Sequence, residues 1–67
     1  MIGAQYEPKE ITWEEGKSII HTKRPAGKFY CKIDEESYAA ISNIRLVPGV
    51  HEFKSEDECV NWLKNER

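Results

Sequence analysis

The sequence predicts one small α+β domain: a three-stranded antiparallel meander, then a helix, a short fourth strand and a C-terminal helix. Polar and apolar residues alternate in three segments of the first half, as they do in half-buried strands. Turn residues separate these segments at positions 15–16 and 24–27. In the second half, acidic residues follow Asp34 and Ser55, where they favour the start of a helix. A chain of 67 residues suits a single domain, here 1–67.

The first three strands are predicted at residues 10–13, 18–23 and 28–33, after an irregular segment at 1–9. A two-residue loop and a four-residue loop give registers that sort the side chains in the same way. One face, expected to be buried, holds Ile11, Trp13, Ile20, Thr22, Phe29, Cys31 and Ile33. The other face, expected to be exposed, holds Glu10, Thr12, Ile19, His21, Lys23, Lys28, Tyr30 and Lys32.

The second half changes from strand to helix periodicity. A short helix is predicted near residues 35–43, with Asp34 as its N-cap, and a turn follows at 46–49. Residues 50–54 read as a fourth strand at a sheet edge. The spacing of Ser55 and Glu58 is typical of a capping box and predicts a final helix. We expect both helices to cover one face of the sheet, so that Trp13, Phe29 and Trp62 share one core.

Charge and composition limit the possible functions. The net charge is −2, but residues 1–33 have six basic and four acidic side chains (+2), and residues 34–67 have four basic and eight acidic ones (−4). A free nucleic-acid binder usually has a more basic total. The first seven residues lack the features of a signal peptide, and no apolar run could span a membrane. We therefore expect a cytoplasmic protein with reduced cysteines and no membrane partner.

Metal binding and catalysis are not expected. His21, Cys31, His51 and Cys59 are residue types that bind zinc, but no two of them have the spacing of a zinc knuckle. Cys31 and Cys59 fall at apolar positions and are interpreted as buried thiols. No catalytic triad, phosphate-binding loop or acid–base pair accompanies them. The sequence thus predicts a non-enzymatic protein without a metal or cofactor.

A basic segment gives the functional hypothesis. Residues 17–33 contain five Lys or Arg residues and no acidic residue. We expect a binding or regulatory module that uses the exposed sheet face and the basic hairpin tip to contact a protein partner. One alternative is single-stranded RNA or DNA, bound by stacking and phosphate contacts. Another is a self-associating accessory subunit, a homodimer that uses the fourth strand as an edge. The predicted partner-binding residues are Lys23, Arg24, Lys28, Tyr30, Lys32 and His21.

Overall fold

A computed structural model describes residues 6–65 as a four-stranded mixed sheet and two helices. The elements are β1 (Lys9–Glu10), α1 (Trp13–Thr22), β2 (Gly27–Asp34), β3 (Ser37–Asn43), β4 (Gly49–Phe53) and α2 (Glu56–Asn65). The strands lie in the order β1-β2-β3-β4; β1 is parallel to β2, and the other neighbours are antiparallel. A small α+β domain is confirmed. The predicted element order is wrong, because a helix follows the first strand and three strands follow that helix.

The α1 helix replaces the strand predicted at 18–23. Of the strand predicted at 10–13, only Glu10 lies in a strand, β1, and Trp13 begins the helix. Thr12 is its N-cap: the Thr12 hydroxyl accepts a hydrogen bond from the Glu15 N–H at 3.1 Å, and the Glu15 carboxylate accepts one from the Thr12 N–H at 3.3 Å. This reciprocal capping box satisfies backbone donors that a helix start leaves unpaired. The helix ends at Lys23, whose backbone is left-handed. The predicted 1–9 segment is irregular from Tyr6 to Pro8, while Lys9 begins β1 and residues 1–5 lie outside the described range.

The β3 strand replaces the helix predicted near 35–43. The Asp34 carboxylate accepts a hydrogen bond from the Glu36 N–H at 2.9 Å, so Asp34 stabilises the turn between β2 and β3 instead of a helix start. Ala39 and Ile41 belong to a core on one side of the sheet, and Ala40 to a core on the other. All three side chains are fully buried. A strand buried on both faces lacks polar–apolar alternation, which explains the error.

The two helices cover opposite faces of the sheet. The core under α1 contains Ile19, Phe29, Cys31, Ala39 and Ile41, with Ile11, Trp13, Ile20 and Ile33 around it. The core under α2 contains Ala40, Cys59 and Leu63, with Tyr30, Tyr38, Phe53 and Trp62 around it. The expectation that both helices lie on one face is therefore wrong. Trp13 and Phe29 do share a core, but Trp62 belongs to the other one.

Most of the predicted buried face survives these changes. Except for Thr22, which is exposed, its members all lie in the core under α1. Ile19 had been assigned to the exposed face, but the helix turns it inward, and it is 5% exposed. Gly16 lets α1 approach closely: a Cβ at this position would lie 3.0 Å from Ile41 Cδ1. The sequence analysis assigned strand alternation to residues that form the α1 helix. Even so, many of the same apolar residues reach the core.

The fourth strand and the final helix are confirmed. The β4 strand pairs with β3 in an unbroken register, from Tyr38 opposite Phe53 to Ser42 opposite Gly49. The Ser55 hydroxyl accepts a hydrogen bond from the Glu58 N–H at 3.3 Å, as expected for an N-cap.

Because Leu63 is fully buried and Leu46 is 92% exposed, the same substitution at these positions separates core packing from surface effects. We expect Leu63→Ala to lower the free energy of unfolding by about 2–5 kcal/mol and Leu46→Ala by no more than about 0.5 kcal/mol. A domain of this size has roughly 3–5 kcal/mol to lose, so Leu63→Ala should be largely unfolded. Urea unfolding followed by circular dichroism checks this, and equal midpoints for the two variants would contradict the placement of α2.

Candidate partner-binding surface

The predicted partner-binding residues do not share one sheet face. His21 lies in the last turn of α1, Lys23 caps that helix, and Arg24 follows in the loop. The remaining three, Lys28, Tyr30 and Lys32, alternate along β2 as expected, but α2 covers the face to which they project. His21, Lys23, Arg24 and Lys32 are exposed.

Lys28 is part of the folded structure. Its side chain is 8% exposed, and its Nζ donates a hydrogen bond to the Leu63 carbonyl at 2.6 Å. That carbonyl is among the last in α2, where helix carbonyls lack partners within the helix and the dipole favours a cation. The expectation that Lys28 is exposed is therefore wrong, because the strand places it beneath the C-terminal end of α2.

Tyr30 is also covered. It is half-buried in the core under α2, close to Tyr38 and Cys59. Burial raises the pKa of the Tyr30 hydroxyl, and the carboxylates of Glu56 and Glu10 raise it further. On this face of β2, α2 therefore covers Lys28 and part of Tyr30, and of the three predicted residues Lys32 alone is exposed.

Two loops meet at one end of the sheet. Gly27 pairs with Asn43, and Ser42 pairs with Gly49, so the loops at 23–26 and 44–48 leave the sheet at the same end. The Asn43 side-chain amide donates a hydrogen bond to the Pro25 carbonyl at 2.7 Å and ties the loop at 23–26 to the end of β3. We call residues 23–26 and 44–48 the loop end. It contains Lys23, Arg24 and Arg45 and no acidic residue.

The opposite end of the sheet is acidic. The turn between β2 and β3 and the start of α2 both lie there, because Ser37 pairs with Asp34 and Tyr38 with Phe53. We call this region the acidic end; its exposed carboxylates belong to Asp34, Glu35, Glu36, Glu56, Asp57 and Glu58. Lys32 and Lys54 are the basic residues nearest to it in the chain. Positive charge is thus concentrated at one end of the strands and negative charge at the other.

Bulky apolar side chains are exposed beside β4. Leu46 is 92% exposed, Val47 75% and Val50 44%. Two of them are in the loop that leads into β4, and the third is in the strand itself. We call β4 together with Leu46 and Val47 the apolar edge. The sequence analysis assigned Leu46 and Val47 to a turn and overlooked them, although two adjacent large apolar residues in a turn indicate an interaction surface.

The two edges of the sheet are built differently. The β1 edge is two residues long and both are charged, and a register irregularity between Lys32 and Asp34 disturbs the part of β2 beyond it. Short strands, charges and bulges are devices that prevent other strands from pairing. The β4 edge has five residues, no lysine or proline, and Glu52 as its one charged residue. Among residues 6–65, no strand pairs with its outer side.

Aromatic rings support β4 from the α2 side. The His51 ring stacks on Trp62 with centroids 5.6 Å apart and planes 22° apart, and it lies 4.6 Å from the Phe53 ring. On the other side, α1 makes no contact with β4 within the described residues. Val50 and Glu52 project to this uncovered side, since they pair with Ile41 and Ala39 of the core under α1. The face of β4 on the α2 side is therefore packed against aromatic rings, and its other face is not covered by a helix.

Neither cysteine is an exposed nucleophile in the described residues. Both cysteines are free thiols in the cores, and burial, together with Cys31, Glu58 and Glu56, raises the pKa of Cys59 to about 11. Burial also raises the pKa of Cys31. No group of three or more His, Cys, Asp or Glu side chains within 6–65 could hold a metal ion. A cleft of about 510 Å³ lies between β1, α1 and the loop at 23–26, and its lining contains neither His nor Cys.

Neither of the two described helices is long and apolar enough to cross a membrane. No protein-family model, curated protein or solved structure matches this chain. A functional proposal for the chain therefore depends on the surfaces described above.

The structural role of Lys28 is open to a direct test. We expect Lys28→Glu to lower the free energy of unfolding by at least about 1.5–3 kcal/mol, because it removes a charged hydrogen bond and places a carboxylate against the Leu63 carbonyl. Arg24→Glu, with the same charge change at an exposed loop position, should cost no more than about 0.5 kcal/mol. Chemical denaturation of both variants checks this, and a Lys28→Glu protein as stable as the parent would contradict it.

Proposed function

We propose that this chain is a small non-enzymatic binding module that recognises a protein partner at the apolar edge. The observation that carries the proposal is the unprotected five-residue β4 strand, with Leu46, Val47 and Val50 exposed beside it. An exposed strand edge offers backbone N–H and C=O groups to an extended partner segment, and neighbouring side chains select that segment. Isolated surface hydrophobics are ordinary, but here three lie within five residues.

The basic residues of the loop end support the same surface. We keep Lys23 and Arg24 as proposed partner contacts, because the loop at 23–26 leaves the sheet at the same end as the loop that holds Leu46 and Val47. With Arg45 they favour partners that are acidic at this end, chiefly by accelerating association. Lys28 and Tyr30 support the fold. His21 and Lys32 lie away from β4, on α1 and on the second strand of the sheet, and are not part of the proposed surface.

A protein partner is favoured over nucleic acid. The nucleic-acid alternative depends on Tyr30 as an exposed stacking platform with Lys28 and Lys32 around it. Since α2 covers Tyr30 and Lys28 holds the Leu63 carbonyl, these residues do not offer that platform. The exposed apolar side chains beside β4 instead favour a protein–protein contact.

Capture from the native cell tests the proposal. Tagged wild-type protein and the Leu46→Asp/Val47→Asp variant serve as baits, and Tyr6→Asp serves as the matched control because Tyr6 is also an exposed apolar residue but precedes β1, on the other edge. We expect the double variant to recover at least about tenfold less partner protein, and Tyr6→Asp to recover as much as the wild type. Equal recovery by all three baits, each shown to be folded, would contradict the apolar edge as the binding surface.

A further inference from the structure

We infer that the partner accepted by the apolar edge is a second copy of this chain, added through antiparallel pairing of the two β4 strands about a two-fold axis at His51. The inference rests on the proposed function and names its partner. It would join two four-stranded sheets into one of eight strands. Three features of β4 and its surroundings support it: the register, the glycine that this register sets opposite an aromatic ring, and the distribution of charge.

The register of such a pair is restricted by symmetry. Two residues directly opposite each other in a sheet have their side chains on the same face, and side chains alternate between faces along a strand. A two-fold axis perpendicular to the sheet keeps each side chain on its face, so it must pass beside one residue and set that residue opposite its own copy. An axis at His51 pairs all five residues of β4. An axis at Val50 would bring Pro48, which has no N–H, into the ladder, and an axis at Glu52 would set two carboxylates opposite each other. His51 is thus the favoured centre.

The His51 register also matches side chains across the new pair. Gly49 lies opposite Phe53 of the second copy, and Val50 lies opposite Glu52 of the second copy. Gly49 has no side chain, and a Cβ there would have only ordinary contacts, the nearest at 3.9 Å from Trp62. A cross-strand aromatic ring covers an edge glycine in this way and stabilises the pair. Phe53, half-buried beside Trp62, is on the correct face to do so.

The charge distribution selects an antiparallel partner. Antiparallel pairing brings the loop end of one copy beside the acidic end of the other, whose six carboxylates are exposed. Parallel pairing would instead bring like charges together. The chain as a whole is acidic, yet the strand polarity makes two copies complementary when they run in opposite directions.

The register predicts a specific charge test. Val50→Glu sets two glutamates opposite each other at both symmetry-related positions and should separate the copies. Adding Glu52→Lys to it converts each repulsive pair into an attractive one and should restore association. Lys32→Glu, an exposed charge reversal away from β4, is the control and should leave association unchanged. Sedimentation equilibrium of the full chain over a range of concentrations gives the mass, and circular dichroism confirms folding.

We expect the wild type to have twice the mass of one chain, Val50→Glu to dissociate at least about tenfold more readily, and Val50→Glu/Glu52→Lys to recover the doubled mass. A monomeric wild type would overturn the inference, and so would a Val50→Glu variant that stays dimeric. A folded double variant that stays monomeric would overturn the register on which the inference depends. Capture of a different protein through Leu46 and Val47 by a monomeric wild type would support the proposed function while overturning the second copy, so the two failures can be told apart.

Discussion

Burial of β3 from both sides is the constraint on which the rest of the structure depends. Ala39 and Ile41 face one helix, Ala40 faces the other, and none of the three is accessible to solvent. A chain of 67 residues has few apolar side chains, so each of the two cores is small. Each core is closed by a single helix, one on each face of the sheet. Small residues serve this arrangement, because the alanines of β3 and Gly16 of α1 keep the layers close.

The distribution of the helices leaves one strand partly uncovered. The α1 helix contacts β2 and β3, whereas α2 contacts β2, β3 and β4. On its α2 side, β4 is therefore supported by Trp62, while Val50 and Glu52 stay open on the other side. Both helices are used to bury β3. The apolar surface of the domain that stays uncovered therefore lies at the β4 edge. Lys28, predicted to be part of a basic surface, instead stabilises the end of α2.

The sequence predicts the C-terminal part of the fold well and misassigns the centre. The β4 strand and α2 are correct because a Pro-Gly turn and the Ser55 cap mark their boundaries. Thr12 and Glu15 have the same capping spacing as Ser55 and Glu58, and that signal could have identified α1. The alternation of Ile11 and Trp13 suggested a strand instead. In β3 the apolar run from Ala39 to Ile41 has no strand period, since both of its faces are buried.

The candidate site was predictable only in part. The sequence predicted that Lys23 and Arg24 are exposed, as they are, but it could not show that α2 covers Tyr30, because strand alternation does not say what packs on a face. The exposure of Leu46 and Val47 depends on where the loop end lies relative to both helices. Edge protection is likewise a property of strand order, which the sequence did not specify.

Amide hydrogen exchange measured by NMR at several protein concentrations tests the central claim, a doubly buried β3 beside an edge strand that is free to pair. The account predicts that the amides of Ala39, Ala40 and Ile41 exchange slowest at every concentration, through global unfolding. It also predicts that alternate amides of β4, those directed away from β3, become protected as the concentration rises. Amides in β3 that exchange as fast as those of β1, or β4 protection that does not change with concentration, would contradict the account.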